Sequence, residues 1–199
     1  MIGTRSEVIG RASREGLTGL PRIAVHVLLA NGVLVLCSKL AVPLPWTPVP
    51  LTLQSFGVLL IAVLFGARAS AVAALLYLVE GAAGLPVFQP FGAPAAARMF
   101  GPTAGYLLAF PLAAFFAGRL LELLSARTAV AKAGVPGWFA IVAALLPGEA
   151  LILACGWAWF ATFVGAAKAA KLGVLPFLAG DLCKLAAATA IARALRSNR

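Results

Sequence analysis

The chain has 199 residues, of which 62% are hydrophobic and only 11% are charged, and its mean hydropathy is +1.01. This balance excludes a water-soluble globular core and is typical of a protein with several membrane helices. The formal net charge of +10 does not indicate nucleic acid, because the basic residues flank apolar runs, where membrane topology explains them. We therefore expect an all-α integral membrane protein that lies in the lipid bilayer.

The apolar residues fall into six stretches that follow a basic N-terminal tail. The tail, residues 1–22, carries four arginines and lacks a small-residue cleavage site before the next helix, so we interpret it as a cytoplasmic tail and not as a cleaved signal peptide. Residues 23–196 then form a single transmembrane domain. Its six predicted spans cover residues 23–42, 51–65, 69–82, 101–124, 138–164 and 174–192.

Two connections between these stretches are too rich in proline and glycine for a regular helix. Residues 43–50 hold four prolines in eight positions, which predicts a stiff, extended connection that folds over a pocket mouth or lies in the interface as a plain loop. Residues 84–100 hold three prolines and two glycines although they are scarcely polar. An irregular apolar segment beside a membrane is expected to pack on protein and not against lipid.

The distribution of Lys and Arg predicts the orientation of the bundle. Eleven of the 16 basic residues fall at the two termini, around Arg68 and in residues 119–132, whereas three fall on the opposite side and two inside spans. The positive-inside rule then places both termini in the cytoplasm. The short spans on either side of Arg68 predict a tight helical hairpin with its turn inside the cell. The connections expected outside are residues 43–50, 84–100 and 165–173.

The last predicted span contains one acid and one base, Asp181 and Lys184. Their spacing of three residues puts both on one face of a helix. Each unpaired charge near the bilayer centre would cost roughly 2.5–3.5 kcal/mol, so mutual pairing is expected. Asp181 lies roughly 10 Å from the nearer end of the span, a depth that fits a pocket open to one side. A purely structural ion pair between packed helices is the alternative.

Further polar residues are expected near the open end of the same pocket. Thr103 and Tyr106 lie at the start of the fourth span, Gln54 lies at the start of the second, and Arg98 lies at the rim. Together with the acid and base of the last span, these groups suit a small, partly polar organic ligand that carries a carboxylate.

The sequence also limits the alternatives. It has no G-x-x-x-x-G-K-[ST] motif, so ATP hydrolysis in the P-loop manner is not expected. The single histidine, His26, and three scattered cysteines predict no metal cluster, no catalytic residues and no cofactor. A membrane-embedded enzyme that acts on a lipid or prenyl substrate is therefore the weaker alternative. A structural membrane protein with a buried ion pair is a third interpretation, against which the clustered outer loops argue.

Four motifs resemble those of the BioY family, the biotin-specific substrate-binding (S) components of energy-coupling factor (ECF) transporters. The resemblance runs from about residue 22 to about residue 196, with the motifs in the same order and spacing. The motifs are PVPLTLQSF at 48–56, GLPVFQPF at 84–91, FGPTAGYLLAF at 100–110 and GVLPFLAGDLCKLAAA at 173–188.

This resemblance implies a six-helix bundle in the bacterial cytoplasmic (inner) membrane that captures biotin from the outer face. It also implies a transmembrane T protein and two ATPase subunits as partners. Asp181 and Lys184 match the family's Gly-Asp-x-x-Lys pair. The family's Gly-Pro-Thr-Gly-Gly-Tyr segment is matched, with alanine at position 104 in place of the second glycine, by Gly101, Pro102, Thr103, Gly105 and Tyr106.

The chemistry of biotin assigns an expected role to the charged candidates. The ureido ring offers two N–H donors and one carbonyl acceptor, which suit Asp181 as an acceptor and Lys184 as a donor. The carboxylate is expected to end near water beside Arg98, and Lys39 is the second candidate for this contact. A headgroup anchor explains Arg98 equally well.

The remaining candidates each have a structural alternative. The aromatic residues that could form walls for the apolar part of biotin, or could serve only packing, are Tyr106, Phe88, Phe91 and Trp46. Gln54 either contacts the ligand or satisfies a helix end. Glu80 and Glu149 stay open, because each could line the pocket, pair with a basic group or face a lipid headgroup.

Overall fold

The computed structural model describes residues 5–90, 92, 94–127 and 137–197, with side chains for residues 22–90, 92, 94, 96–126 and 137–195. Within these ranges the protein consists of helices, one short two-stranded ribbon and irregular connections. The elements in chain order are α1 (Arg5–Lys39), β1 (Ala41–Val42), β2 (Leu51–Thr52), α2 (Gln54–Ala82), α3 (Ala95–Arg98), α4 (Ala104–Arg127), α5 (Trp138–Val164), α6 (Ala166–Gly173) and α7 (Leu178–Ser197).

The helices confirm an all-α membrane protein. Within the described ranges, four helices are long and apolar enough to cross a bilayer, namely α1 from Arg22 to Lys39, α2, α4 and α5. The helices α6 and α7 are bent by 50° at a short break and make a fifth span if they are counted as one. The predicted number of six spans is not confirmed by this count, and the cytoplasmic position of both termini stays a prediction.

The helix α2 reverses direction at Gly66. This residue has φ 79° and ψ 174°, a conformation that only glycine adopts readily. Gln54 Nε2 lies 2.5 Å from Tyr77 Oη, whereas a straight helix would separate these residues by roughly 35 Å. Residues 54–82 are therefore two packed arms joined at Gly66, as the predicted helical hairpin requires, although the turn falls two residues before Arg68.

The acid Glu122 of α4 holds this turn. Its Oε1 accepts the backbone N–H of Ala67 at 3.0 Å, the first residue of the second arm. Its Oε2 pairs with Arg119 at 3.1 Å. A carboxylate at a helix N-terminus satisfies a free N–H and interacts favourably with the helix dipole. The turn is thus fixed from a neighbouring helix.

The first span ends earlier than expected. The sequence predicts a helix to residue 42, but α1 ends at Lys39 because Ala41 and Val42 pair with Thr52 and Leu51 in the antiparallel ribbon. At its other end α1 begins at Arg5, so the described part of the basic tail continues the helix of the span.

The irregular segments lie together at one end of the bundle. Thr47 Oγ1 donates to the carbonyl oxygen of Leu172 at 2.9 Å, which joins the 43–50 connection to the end of α6. Lys39 Nζ donates to the carbonyl oxygens of Pro86 and Phe88, the latter at 2.8 Å, and so holds the 84–100 segment. The connection predicted over 165–173 is helical, as α6. These contacts place all three segments at the same end of the bundle.

Candidate functional site

Asp181 and Lys184 form a buried ion pair in the first turns of α7. Lys184 Nζ lies 2.9 Å from Asp181 Oδ1, and the two residues are 9% and 6% exposed. The predicted pairing is confirmed. Asp181 also lies in the first turn of its helix, where the dipole favours a negative charge.

Ser55, at the start of α2, joins this pair. Lys184 Nζ donates a second hydrogen bond to Ser55 Oγ at 3.3 Å, although the two residues are 129 positions apart. The contact fixes the ammonium group between two helices. The sequence motif at 48–56 contains Ser55, but nothing in its spacing predicted this contact, which depends on how α2 packs against α7.

The ion pair lines a cavity of about 540 Å³, counting the space at its open mouth. Five predicted site residues meet there: Gln54, Thr103, Tyr106, Asp181 and Lys184. The remaining lining is mostly apolar, with four additional polar residues, and consists of Val49, Pro50, Thr52, Ser55, Gln89, Leu107, Phe110, Glu149, Ile152, Leu153 and Phe177. We refer to this space as the inner cavity.

Tyr106 is held rigidly on one wall of the inner cavity. Its hydroxyl donates to the carbonyl oxygen of Gly173 at 2.7 Å. Its ring lies against Gly156 of α5, where any side chain would collide with the ring carbons. A fixed aromatic ring presents apolar surface without losing side-chain freedom on binding.

Gln54 lines the cavity, but its amide is already engaged. Its Nε2 donates to Tyr77 Oη at 2.5 Å, and its Oε1 accepts the Thr52 hydroxyl at 3.2 Å. The backbone N–H of Gln54 in turn donates to Thr52 Oγ1 at 3.3 Å. The structure thus supports a role in ordering the start of α2 beside the cavity, one of the two alternatives left open by the sequence.

Arg98 lies in a second cavity, which adjoins the first. This outer cavity has a volume of about 660 Å³, counting open space, and shares Pro50, Gln89 and Thr103 with the inner cavity. Gly101 also lines it, as predicted for a site residue. Arg98 is buried, and burial lowers the pKa of its guanidinium from the ordinary value. An arginine so placed supplies a fixed cationic group at the outer end of the site.

Other candidates do not reach either cavity. Gly105 packs against Trp159 of α5, where a side chain would collide, so its role is close helix packing and not contact with the site. Phe88 is buried edge-on against Tyr77. Trp46 is 61% exposed and lines neither space. Phe91 lies outside the described residues.

Two further predictions are resolved by contacts. Lys39, the second candidate for a carboxylate contact, is engaged by the carbonyl oxygens of Pro86 and Phe88 and lines neither cavity. Glu80 accepts the Asn31 amide at 3.0 Å, which places it outside the site as a partner within the bundle. Glu149 does line the inner cavity, beside Ser55 and the ion pair.

The geometry defines a class of protein. No group of three or more His, Cys, Asp or Glu residues that could hold a metal is found in the described ranges. The helices enclose a cavity of mixed apolar and polar lining that contains a buried ion pair, and this cavity adjoins a second one that contains a buried arginine. The molecule is a membrane-embedded helical bundle with a binding site for a small polar ligand.

The comparisons with known proteins agree with this class. The fold matches the crystal structure of the S-component for biotin from an ECF-type ABC transporter, with a TM-score of 0.75, 21% identity and coverage of 98% of this chain and 95% of that one. The BioY family model matches residues 12–199. The chain belongs to the BioY family.

Curated relatives carry the same family name. The probable biotin transporter BioY of Pyrococcus horikoshii is 40% identical over 76% of this chain and 83% of the relative. The biotin transporters BioY of Thermotoga maritima and Rhizobium etli are 36% and 34% identical, over 78% and 77% of this chain and 85% and 81% of their own lengths. These relatives are named as transporters and not as enzymes, in agreement with the prediction of a transport subunit.

Proposed function

We propose that this protein is the biotin-binding S component of an ECF-type importer. The observation that carries the proposal is the buried pair of Asp181 and Lys184 in a cavity that also has apolar walls, in a chain of the BioY family. A carboxylate and an ammonium side by side complement a ureido ring, which both donates and accepts hydrogen bonds.

The two adjoining cavities offer different groups to the two ends of biotin. In our proposal the ureido ring lies at the ion pair, and the apolar ring and chain lie along Phe177, Phe110 and Tyr106. The carboxylate then reaches the outer cavity, where Arg98 supplies the positive charge. Thr103, which lines both spaces, marks the passage between them.

Transport would then depend on other subunits. The sequence contains no phosphate-binding loop, so we propose that a T protein and two ATPase subunits supply the energy, as the family implies. The charge distribution supports a cavity open to the outer face of a bacterial inner membrane, with both termini in the cytoplasm. Purified alone, the chain should bind biotin and hydrolyse no ATP.

Equilibrium binding of labelled biotin to the purified chain tests the proposal. Dethiobiotin retains the ureido ring and the carboxylate, so it should compete with biotin. Lipoate has a carboxylate and a sulfur ring but no ureido group, so it should not compete in the same concentration range. Absence of biotin binding by a monodisperse preparation, or equal competition by lipoate, would refute the proposed specificity.

A further inference from the structure

The inner cavity contains two carboxyl oxygens that the fold leaves unused. Asp181 Oδ2 and Glu149 Oε2 are both buried and have no hydrogen-bond partner among the described residues. Both residues are only 6% exposed, and both line the same cavity. A buried acceptor without a partner destabilises a fold, so two of them in one cavity indicate a site that binds hydrogen-bond donors.

Packing does not explain Glu149. Glu80 uses its carboxylate to hold Asn31, and Glu122 uses both oxygens to hold the Gly66 turn and Arg119. Glu149 instead faces Ser55, Asp181 and Lys184 from α5 and keeps one oxygen without a partner. A second acid beside an existing acid adds repulsion, so its position suggests a function in the cavity.

The same network leaves one donor available. The Lys184 ammonium carries three N–H groups, of which two are directed at Asp181 Oδ1 and Ser55 Oγ. The inner end of the cavity therefore offers acceptors from Asp181 and Glu149 and a donor from Lys184. A cyclic urea offers the complementary set, with one N–H on each side of a carbonyl.

We propose that Glu149 is a third ligand-recognition residue, which accepts one ring N–H of the ureido group while Asp181 accepts the other. Lys184 donates to the ureido carbonyl between them. This inference rests on the proposed function, because it assigns a further ligand contact in the same site. It also gives a function to a buried acid whose second oxygen has no partner among the described residues.

The test combines substitutions at Glu149 with ligands that lack one N–H. Glu149→Leu removes the acceptor, and Glu149→Gln keeps the size and a carbonyl oxygen. Glu80→Gln is the matched control, because it makes the same chemical change at a half-buried acid of the bundle that lies outside the cavity. The ligands are biotin and two lactam analogues, each of which has CH2 in place of one of the two ring N–H groups. The affinity of each purified variant for each ligand is measured by competition against labelled biotin.

We expect Glu149→Leu to weaken biotin binding by roughly 10- to 100-fold, Glu149→Gln by less than that, and Glu80→Gln by less than about twofold. For one of the two lactams, Glu149→Leu should change the affinity by less than about threefold, because the contact is already absent. Dethiobiotin should respond to Glu149→Leu as biotin does, since it has the same ureido ring.

Two results would overturn the inference and leave the proposed function intact. The first is parental biotin affinity, within about threefold, in a folded Glu149→Leu protein. The second is an equal loss for biotin and both lactams in the Glu149→Leu protein, which would make Glu149 a structural residue. If the parent protein bound no biotin, the proposed function itself would fail, and the inference with it.

Discussion

Lys184→Met should abolish most biotin binding and leave a folded protein. Lys184 Nζ lies 2.9 Å from Asp181 Oδ1 and 3.3 Å from Ser55 Oγ. Methionine fills a similar volume but leaves the buried Asp181 carboxylate without its cation. Removing one member of a buried pair costs about 3–5 kcal/mol. A share of about 3 kcal/mol in the binding free energy corresponds to a more than hundredfold weaker affinity.

The assay compares four variants for labelled-biotin affinity and for Tm in detergent. Lys184→Met and Asp181→Asn should each lose at least roughly a hundredfold in affinity and unfold at a lower temperature than the parent. Lys168→Met, which removes an exposed lysine of α6, should leave both measurements nearly unchanged. The double variant removes both charges, so its Tm should return towards that of the parent while binding stays lost.

A folded Lys184→Met protein that binds biotin within about threefold of the parent would refute this reasoning. A double variant that regained binding together with its Tm would do the same. In either case the ion pair would be structural, and the ligand contacts would have to lie around Arg98 and Tyr106.

Further predictions follow from other parts of the molecule. Arg98→Leu should weaken biotin binding by roughly 10- to 100-fold but leave binding of biotin amide nearly unchanged, since the amide lacks the charge that Arg98 pairs with; an equal loss for both ligands would exclude this pairing. Gly66→Ala should lower the Tm by roughly 3–10 °C because alanine is strained at φ 79°, whereas Gly32→Ala, in open helix surface, should not; equal Tm values would contradict the strained turn. In a cysteine-free background, a cysteine at Ala96 should react with an impermeant maleimide in intact cells and one at Arg68 should not, and the reverse pattern would overturn the orientation.

The residues at the inner end of the site could be predicted where local spacing decides the contact. Asp181 and Lys184 are three residues apart on one helix, so their pairing follows from helix geometry alone. The fifth span was predicted over 138–164 and forms α5 over the same residues, because Gly137 and Gly165 bound a long apolar run.

Contacts between distant helices could not be predicted from spacing. Glu149 faces the ion pair only because of the way α5 packs against α7. Glu80 accepts a hydrogen bond from Asn31 only because α1 packs on the second arm of α2. Gly105 belongs to a motif that suggests ligand binding, yet its missing side chain makes room for Trp159. A motif indicates that a residue type is needed and does not show which neighbour needs it.

The hydrogen bond from Thr47 to the Leu172 carbonyl has a consequence for the rate of ligand exchange. Residues from the 43–50 connection line both cavities. Because its four prolines make this connection stiff, we expect it to move as one piece about the β1–β2 ribbon. Thr47→Val removes this hydrogen bond and the one that Thr47 Oγ1 accepts from the Val49 N–H, at a residue that lines the outer cavity but is not one of the proposed ligand contacts. We expect faster association and faster dissociation of biotin by a similar factor, and therefore a nearly unchanged equilibrium affinity with a shorter residence time.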